Sequence, residues 1–256
     1  MIYLHVFALT GHNEVVTSLA SSIFSVHDID IDGKTALILA AQGGHADVVS
    51  TLINFGADTE KESKDGRTAI FEAALEGHEN VISILVENGA NLDHRDGLGR
   101  SPLFTVALER NKNIAKLLLN FGACVDCEDN EGRSSLHGVA WQGSYELVEL
   151  FIDKGADVNF VDHLARTALM SAAWQGHSLV VQLMINKGAD VNMTSTEGAT
   201  ALCIATQEGH EEVVQLLLEN GAETNVIDSF GRTPMQVAAD AGLLDSNFII
   251  IIITLI

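Results

Sequence analysis

A 33-residue repeat runs through this chain and constrains its fold more than any other feature. The segment at 129–161, DNEGRSSLHGVAWQGSYELVELFIDKGADVNFV, is followed at 162–194 by DHLARTALMSAAWQGHSLVVQLMINKGADVNMT, which has nearly the same pattern. A threonine or serine recurs with this period, at Thr35, Thr68, Ser101, Ser134, Thr167, Thr200 and Thr233. A fixed period between about 20 and 50 residues indicates a stacked array, in which each repeat buries its apolar side against its neighbours. Recognition is then expected on a surface that the repeats share, and no catalytic cleft is required.

Glycines mark the turns of the repeat. Of the 22 glycines, most fall into three columns. The columns are Gly33, Gly66, Gly99, Gly132, Gly198 and Gly231; Gly11, Gly44, Gly77, Gly143, Gly176, Gly209 and Gly242; and Gly56, Gly89, Gly122, Gly155, Gly188 and Gly221. Each column predicts a tight turn or a positive φ, which glycine adopts without steric cost.

Each repeat is predicted to contain two short helices between its glycine columns. The first begins at the threonine or serine, a good N-cap, and carries small residues such as Ala40 and Ala41 that let neighbouring helices approach closely. The second carries larger apolar residues, such as Val48, Val49 and Leu52, at the spacing of one buried helical stripe. An extended arm after the third glycine, either a β-hairpin or a long loop, completes the repeat.

The period divides the chain into a single array of repeats. A partial repeat at 1–29 precedes six complete repeats at 30–62, 63–95, 96–128, 129–161, 162–194 and 195–227. A degenerate repeat at 228–256 ends in an apolar tail at 248–256, which is too short to span a bilayer and has an aggregation-prone composition. We interpret both irregular ends as truncation of a longer array, because terminal repeats usually present a polar outer face.

Charge and cysteine content limit the classes of partner and compartment. Lysine and arginine number 14 against 35 aspartates and glutamates, which gives a formal net charge of −21. Nucleic-acid binding needs a basic patch, so this balance argues against it and favours a basic or mixed-charge protein segment. Three cysteines without framework spacing suit a reducing compartment, and the first residues lack the basic region of a signal peptide. The sequence therefore predicts a cytoplasmic, monomeric array without a transmembrane span.

The repeats resemble a known family. GATALCIATQEGHEEVVQLLLENGAETN at 198–225 and DIDGKTALILAAQGGHADVV at 30–49 are similar to ankyrin repeats, and the resemblance covers essentially the whole chain. Within this family, the phrases SAAWQGH and GATALCIA are most similar to the ankyrin repeat domain-containing protein 50 subgroup. The resemblance implies an all-α solenoid of L-shaped repeats, whose first helices line a concave groove.

The same resemblance implies a function. It implies a non-catalytic scaffold or adaptor for protein–protein interaction, with no cofactor, small-molecule substrate or metal. Resemblance to the subgroup further implies a part in endosomal recycling. The alternative is the recognition fragment of a larger regulatory protein, because a P-loop NTPase-like domain can precede the repeats in the subgroup.

Histidines and cysteines are the candidates for catalysis or metal binding. Seven of the ten histidines occupy repeat columns and are expected to make hydrogen bonds within the fold: His5, His12, His45, His78, His137, His177 and His210. Cys124 and Cys127 form a lone CxxC motif, to which His94 could add a third ligand. A structural zinc site needs four ligands, so we expect ordinary reduced thiols.

The resemblance places partner binding at the hairpin tips and at exposed positions of the first helix. Trp141 and Trp174, the only tryptophans, share one column in adjacent repeats. They are either binding anchors or residues that fill the groove themselves. The candidate partner-binding residues are Trp141, Gln142, Trp174, Gln175, Glu208, Leu108, Glu109, Leu98, Leu164, Phe230, Arg133 and Arg166.

An arginine column precedes the threonine or serine in five repeats. Its members are Arg67, Arg100, Arg133, Arg166 and Arg232. Each has acidic residues in its own or the adjacent turn, so ion pairing within the protein is the expected main role, with partner contact secondary.

Overall fold

The computed structural model describes residues 2–22, 25–240 and 242, which form fifteen α-helices joined by turns and loops. The chain divides into two compact units, a first unit of residues 1–130 and a second unit of residues 131–256. The first unit contains α1 (Ile2–Leu9), α2 (Asn13–Ala20), α3 (Ala36–Gln42), α4 (Ala46–Asn54), α5 (Ala69–Glu76), α6 (Glu79–Glu87), α7 (Pro102–Leu108) and α8 (Lys112–Asn120). The second unit contains α9 (Ser135–Trp141), α10 (Tyr145–Asp153), α11 (Ala168–Gln175), α12 (Ser178–Asn186), α13 (Ala201–Glu208), α14 (Glu211–Glu219) and α15 (Pro234–Asp240). The tail predicted at 248–256 lies outside the described residues.

Helices in each unit form two rows. In the first unit, α1, α3, α5 and α7 pack in series as the inner row, while α2, α4 and α6 form the outer row. In the second unit, α9, α11, α13 and α15 form the inner row and α10, α12 and α14 the outer row. Each inner helix from α1 to α13 also packs on the outer helix that follows it. This arrangement confirms the predicted all-α repeat solenoid.

Small side chains set the spacing of the inner row. Ala40 and Ala41 on α3, and Ala172 and Ala173 on α11, are fully buried. A larger residue at any of these positions would push two helices apart, because protein interiors are close-packed. The outer helices bury larger residues, such as Leu52 on α4, and each Å² of apolar surface so buried stabilises the fold by roughly 25 cal/mol.

The inner helices begin at the threonine and serine column, as predicted. The Thr35 hydroxyl accepts a hydrogen bond from the backbone N–H of Ile38 at 3.3 Å, which satisfies one of the free donors in the first turn of α3. Caps of this kind stabilise a helix by about 1 kcal/mol. Pro102 and Pro234 occupy the first positions of α7 and α15, where the missing N–H costs nothing.

The arms between repeats are loops, and their β-pairing in the described residues is limited to two isolated bridges, Ile29 with Thr35 and Val161 with Thr167. Each arm ends in a tip, which is the turn before the next inner helix. Hydrogen bonds to a side chain of the tip itself hold it in shape. In the tip before α11, the carboxylate of Asp162 accepts hydrogen bonds from the backbone N–H groups two and four residues further on, those of Leu164 and Arg166, both at 2.9 Å.

Successive tips are joined by backbone hydrogen bonds. In each case an N–H near one tip donates to a carbonyl oxygen of the tip before it. In the first unit these bonds are Lys64 to Asp32, Gly97 to Asp65 and Asn130 to Leu98; in the second they are His163 to Glu131, Thr196 to Leu164 and Ser229 to Glu197. Their lengths fit ordinary N–H···O bonds. We call this series of bonds the tip ladder; it joins each tip to the one before it through main-chain atoms alone.

The glycine columns have the backbone conformation that the sequence predicts, since every column glycine has a positive φ. Two columns lack a glycine at one repeat each, and Arg110 and Ala165 stand there instead. The backbone still turns left-handed at these positions, with φ of 58° at Arg110 and 54° at Ala165. This conformation costs a residue with a Cβ roughly 1–2 kcal/mol, so both are strained.

Replacing Ala165 with glycine should therefore stabilise the protein. The relief of strain exceeds the extra entropy that glycine gains in the unfolded chain, so we expect Ala165→Gly to raise the free energy of unfolding by about 0.5–1 kcal/mol. Urea unfolding followed by circular dichroism measures this.

The matched control is Gly231→Ala, at the same column of a later repeat. A Cβ added there meets nothing within 4 Å, so only the backbone conformation opposes it. We expect a loss of about 1 kcal/mol. Destabilisation by Ala165→Gly would contradict the assignment of strain.

Candidate functional site

Two tryptophans lie side by side on neighbouring inner helices of the second unit. Trp141 ends α9 and Trp174 is the penultimate residue of α11. Their ring centroids are 6.2 Å apart and the ring planes are tilted by 41°, within the range at which aromatic rings attract each other. Trp141 is 47% exposed and Trp174 41%. The predicted proximity is thus present, and the pair offers a large, contiguous apolar surface to solvent.

Histidines of the following repeat fix the backbone beneath each indole. Nε2 of His177 lies 2.9 Å from the carbonyl oxygen of Trp141, and Nε2 of His210 lies 2.8 Å from that of Trp174. These carbonyls are at helix C-termini, where the helix itself provides no donor. A Cβ at Gly143 would lie 2.6 Å from the His177 ring, so the close approach requires glycine there. The histidine column therefore has the structural role that the sequence predicts.

The first unit uses the same contact. Nε2 of His45 lies 2.9 Å from the Leu9 carbonyl oxygen, and Nε2 of His78 lies 3.0 Å from that of Gln42. The contact between a histidine Nε2 and a backbone carbonyl oxygen thus recurs at four residues of one repeat column, and Trp141 and Trp174 are two of them.

Polar and apolar candidates accompany the tryptophans in the second unit. Gln142 follows α9 and is half-buried, whereas Gln175 and Glu208, the last residues of α11 and α13, are exposed. The tip residues Leu164 and Phe230 are also exposed. Removing exposed apolar surface from water is favourable, so exposed apolar side chains often mark positions that contact a partner.

The arginine column is engaged in ion pairs. Arg166 donates to the buried carboxylate of Asp162 at 2.7 Å, and Arg133 pairs with Glu131. Both guanidinium groups remain partly exposed. The expected pairing within the protein is confirmed at these positions.

A further arginine shapes the tip before α15. Arg232 pairs with Asp228 at 2.8 Å, and its guanidinium carbon lies 5.0 Å from the centre of the Phe230 ring. A cation at this distance over an aromatic face is attracted to it. One face of Phe230 is therefore covered by arginine, and the other is open.

Three of the predicted contact residues belong to the first unit. Leu98 is an exposed tip residue, Leu108 is half-buried at the end of α7, and Glu109 follows it on the surface. In the same unit, Arg100 pairs with Asp96 at 2.8 Å.

The CxxC motif lies in the loop after α8. Cys124 and Cys127 are free and half-buried. Burial raises the pKa of the Cys127 thiol to about 12, and the adjacent Cys124 contributes to the rise. His94 lies with Nε2 3.3 Å from Oε1 of Glu62. Among the described residues, no three histidine, cysteine or acidic side chains are grouped closely enough to hold a metal ion.

The tip before α11 should make stability depend on pH. Burial alone would raise the pKa of Asp162, but hydrogen bonds from the Arg166 side chain and from the backbone of Arg166 and Leu164 outweigh it, so the pKa lies below its ordinary 3.8. A lowered carboxyl pKa stabilises the folded state above the unfolded pKa, and this contribution is lost as the pH falls through the folded pKa.

We therefore expect Asp162→Asn to lower the free energy of unfolding by about 1–3 kcal/mol at pH 7, because asparagine keeps one acceptor oxygen but loses the charge that strengthens the hydrogen bonds and pairs with Arg166. The difference from the unsubstituted protein should shrink as the pH falls below 3.8, the ordinary pKa. Urea unfolding from pH 7 to pH 3, roughly the range of carboxyl titration, measures it. Glu197→Gln, at an exposed tip, is the control. A difference that stays constant with pH would contradict this account.

No helix in the described part of the chain has both the length and the apolar character needed to cross a bilayer.

Comparisons with known proteins agree on one family. The family model described as ankyrin repeats (3 copies) matches residues 4–96, 91–162 and 169–251. A comparison with curated protein sequences finds no match. The chain is similar to the crystal structure of the ankyrin repeat domain of Bcl-3, described as a unique member of the IkappaB protein family, with 25% sequence identity and a TM-score of 0.78. That similarity covers 84% of this chain and 96% of the Bcl-3 chain.

Proposed function

Because this chain belongs to the ankyrin-repeat family, we propose that it is a non-catalytic scaffold that binds a partner protein through its tips and the exposed side of its inner helices. The family and the similarity to the Bcl-3 domain support a role in protein interaction in general. We also propose that the repeats form a single array, with the repeat boundaries predicted from the sequence.

The observation that carries the proposal is the tryptophan pair. Trp141 and Trp174 place two large aromatic side chains in contact, each with close to half of its surface open. Tryptophan is enriched among the residues that dominate binding energy, because it buries a large apolar area with little loss of side-chain freedom. We propose that these two residues are the anchor of the interface.

Rigidity supports the same role. The backbone carbonyls of the two tryptophans are held by His177 and His210, at 2.9 Å and 2.8 Å. A surface that is already ordered loses little entropy when a partner binds, which favours affinity. The proposed mechanism is therefore docking of a partner segment on a preformed surface.

The other candidate residues of the second unit contribute contacts around this anchor, and they are Gln142, Gln175, Glu208, Leu164, Phe230, Arg133 and Arg166. In the first unit the candidate contact residues are Leu98, Leu108 and Glu109. Polar residues around a buried anchor exclude water and set specificity more than affinity. Arg133 and Arg166 act secondarily, since their charges are already paired.

Charge selects the partner. The net charge of −21 favours a basic or mixed-charge segment. Lys187 pairs with Asp153 at 2.7 Å and Arg232 with Asp228 at 2.8 Å, so these cations are already neutralised. A monomeric array in the cytoplasm completes the proposal, and the free thiols of Cys124 and Cys127 support a reducing compartment.

Replacing both tryptophans with glutamine tests the anchor. Gln42 and Gln207 occupy the same column in other repeats, so glutamine is compatible with the fold. We expect Trp141→Gln with Trp174→Gln to weaken capture of partner proteins from a cell lysate by about 30-fold, the loss typical of two strong anchor residues. Quantitative affinity capture on the full chain measures this, with circular dichroism as the check on helical content.

Tyr145→Ala is the matched control. Tyr145 is an aromatic residue of the same unit with 40% exposure, but it begins the outer helix α10. Its replacement should leave capture unchanged. Capture that survives the tryptophan replacements in a folded protein would overturn the anchor assignment.

A further inference from the structure

A second apolar groove lies in the first unit. It is a cavity of about 530 Å³ between α1, the tip before α3, and α3 itself. Val6, Leu9, Ile29, Ile31 and Leu39 supply its apolar lining. This volume is within the range of ligand-binding clefts, roughly 300–1,000 Å³.

One residue of the groove departs from the repeat pattern. Ile31 is 84% exposed, and the residues at its position in the following repeats are Lys64, Gly97, Asn130, His163, Thr196 and Ser229. None of these is a large apolar residue, so the fold does not require one there. The exposed apolar side chain of Ile31 is therefore specific to this tip, and an exposed apolar surface of this kind favours contact with a ligand.

The walls of the groove are fixed by hydrogen bonds. The backbone N–H of Asp30 donates to the carbonyl of Lys34 at 2.9 Å, and the Asp30 carboxylate accepts from the N–H groups of Asp32 and Lys34 at 2.9 and 2.8 Å. Opposite this tip, Nε2 of His5 lies 3.1 Å from the carbonyl oxygen of Asp28. Leu39 is buried and forms the floor. The groove is therefore already shaped before anything enters it.

Acidic residues accompany the apolar lining. Asp30 and Asp32 both line the groove. A carboxylate close to an apolar wall attracts a cation and repels an anion, and the attraction is stronger there than in bulk water. An occupant should therefore combine an aliphatic group with neighbouring positive charge.

We propose that this groove binds a partner segment in which an aliphatic side chain is flanked by lysine or arginine. The aliphatic side chain lies against Leu9, Ile31 and Leu39, and the basic neighbours face Asp30 and Asp32. The site rests on the proposed function, since it too is formed by a tip and inner helices, but it belongs to the first unit and contains none of the anchor residues.

The test uses the full chain and defined peptides. The probe is a fluorescent peptide with a central leucine between two lysine–arginine pairs, and binding is followed by fluorescence anisotropy. A peptide with alanine in place of leucine should bind about tenfold more weakly, because most of the buried apolar area is lost. A peptide with glutamates in place of the basic residues should not bind, and raising the salt concentration should weaken the basic peptide.

Variants locate the binding in the groove. Ile31→Lys copies Lys64 of the next repeat, so the fold tolerates it, and it should weaken the basic peptide by more than about tenfold through lost burial and added repulsion. Ile31→Asn copies Asn130 and removes the apolar contact without adding charge. Asp32→Asn should weaken binding severalfold, whereas Asp65→Asn, with the same change of charge at the next tip, should have little effect.

Three results would overturn the proposal. The first is equal binding of the leucine and alanine peptides, and the second is an unchanged affinity for the basic peptide in Ile31→Lys. The third is self-association of the protein through the groove, which would appear as concentration-dependent sedimentation that Ile31→Lys abolishes. Trp141→Gln with Trp174→Gln should leave binding of the basic peptide unchanged. The groove and the tryptophan anchor can therefore fail separately.

Discussion

The close packing of one alanine-lined helix on the next is the interaction from which the rest of the structure follows. A single pair of short helices cannot bury its own apolar side, so each repeat is ordered only in contact with its neighbours. Alanines such as Ala172 and Ala173 keep the inner helices close. That closeness brings equivalent residues of adjacent repeats into contact, and the two indoles 6.2 Å apart are its most visible result.

The sequence predicts most of this fold because the repeat shows each structural requirement several times. Helix starts, glycine turns and the column of bonded histidines could all be assigned from position alone. The arms were harder, because ADVN-type segments suit a hairpin or a loop equally well. In the structure the carboxylate of Asp162 holds its tip in shape, and an aspartate or serine recurs at that position every 33 residues. Successive tips are joined by hydrogen bonds between main-chain atoms, which require no particular side chain and therefore leave no pattern in the sequence.

The candidate site was only partly predictable, for a related reason. Trp141 and Trp174 stand out in the sequence because no other repeat has tryptophan there. The sequence does not reveal the groove near Ile31, since isoleucine and leucine are common in every repeat and only the structure shows which of them are exposed. Ala165 shows a further limit: an alanine gives no sign of positive φ until the missing glycine of its column is noticed. Many polar groups that look functional in the sequence, including the arginines and histidines, are engaged in holding the fold.

The tip ladder has a consequence for how such a protein can change over evolutionary time. Its hydrogen bonds use only main-chain atoms, so they are indifferent to the side chain at the tip. The backbone carbonyl oxygens of Asp32 and Leu98 in the first unit, and of Glu197 in the second, each accept such a bond although their side chains differ in chemistry. A single codon change at a tip can therefore alter what the surface recognises while the scaffold stays intact, which makes the tips a place where new specificity can arise by small steps.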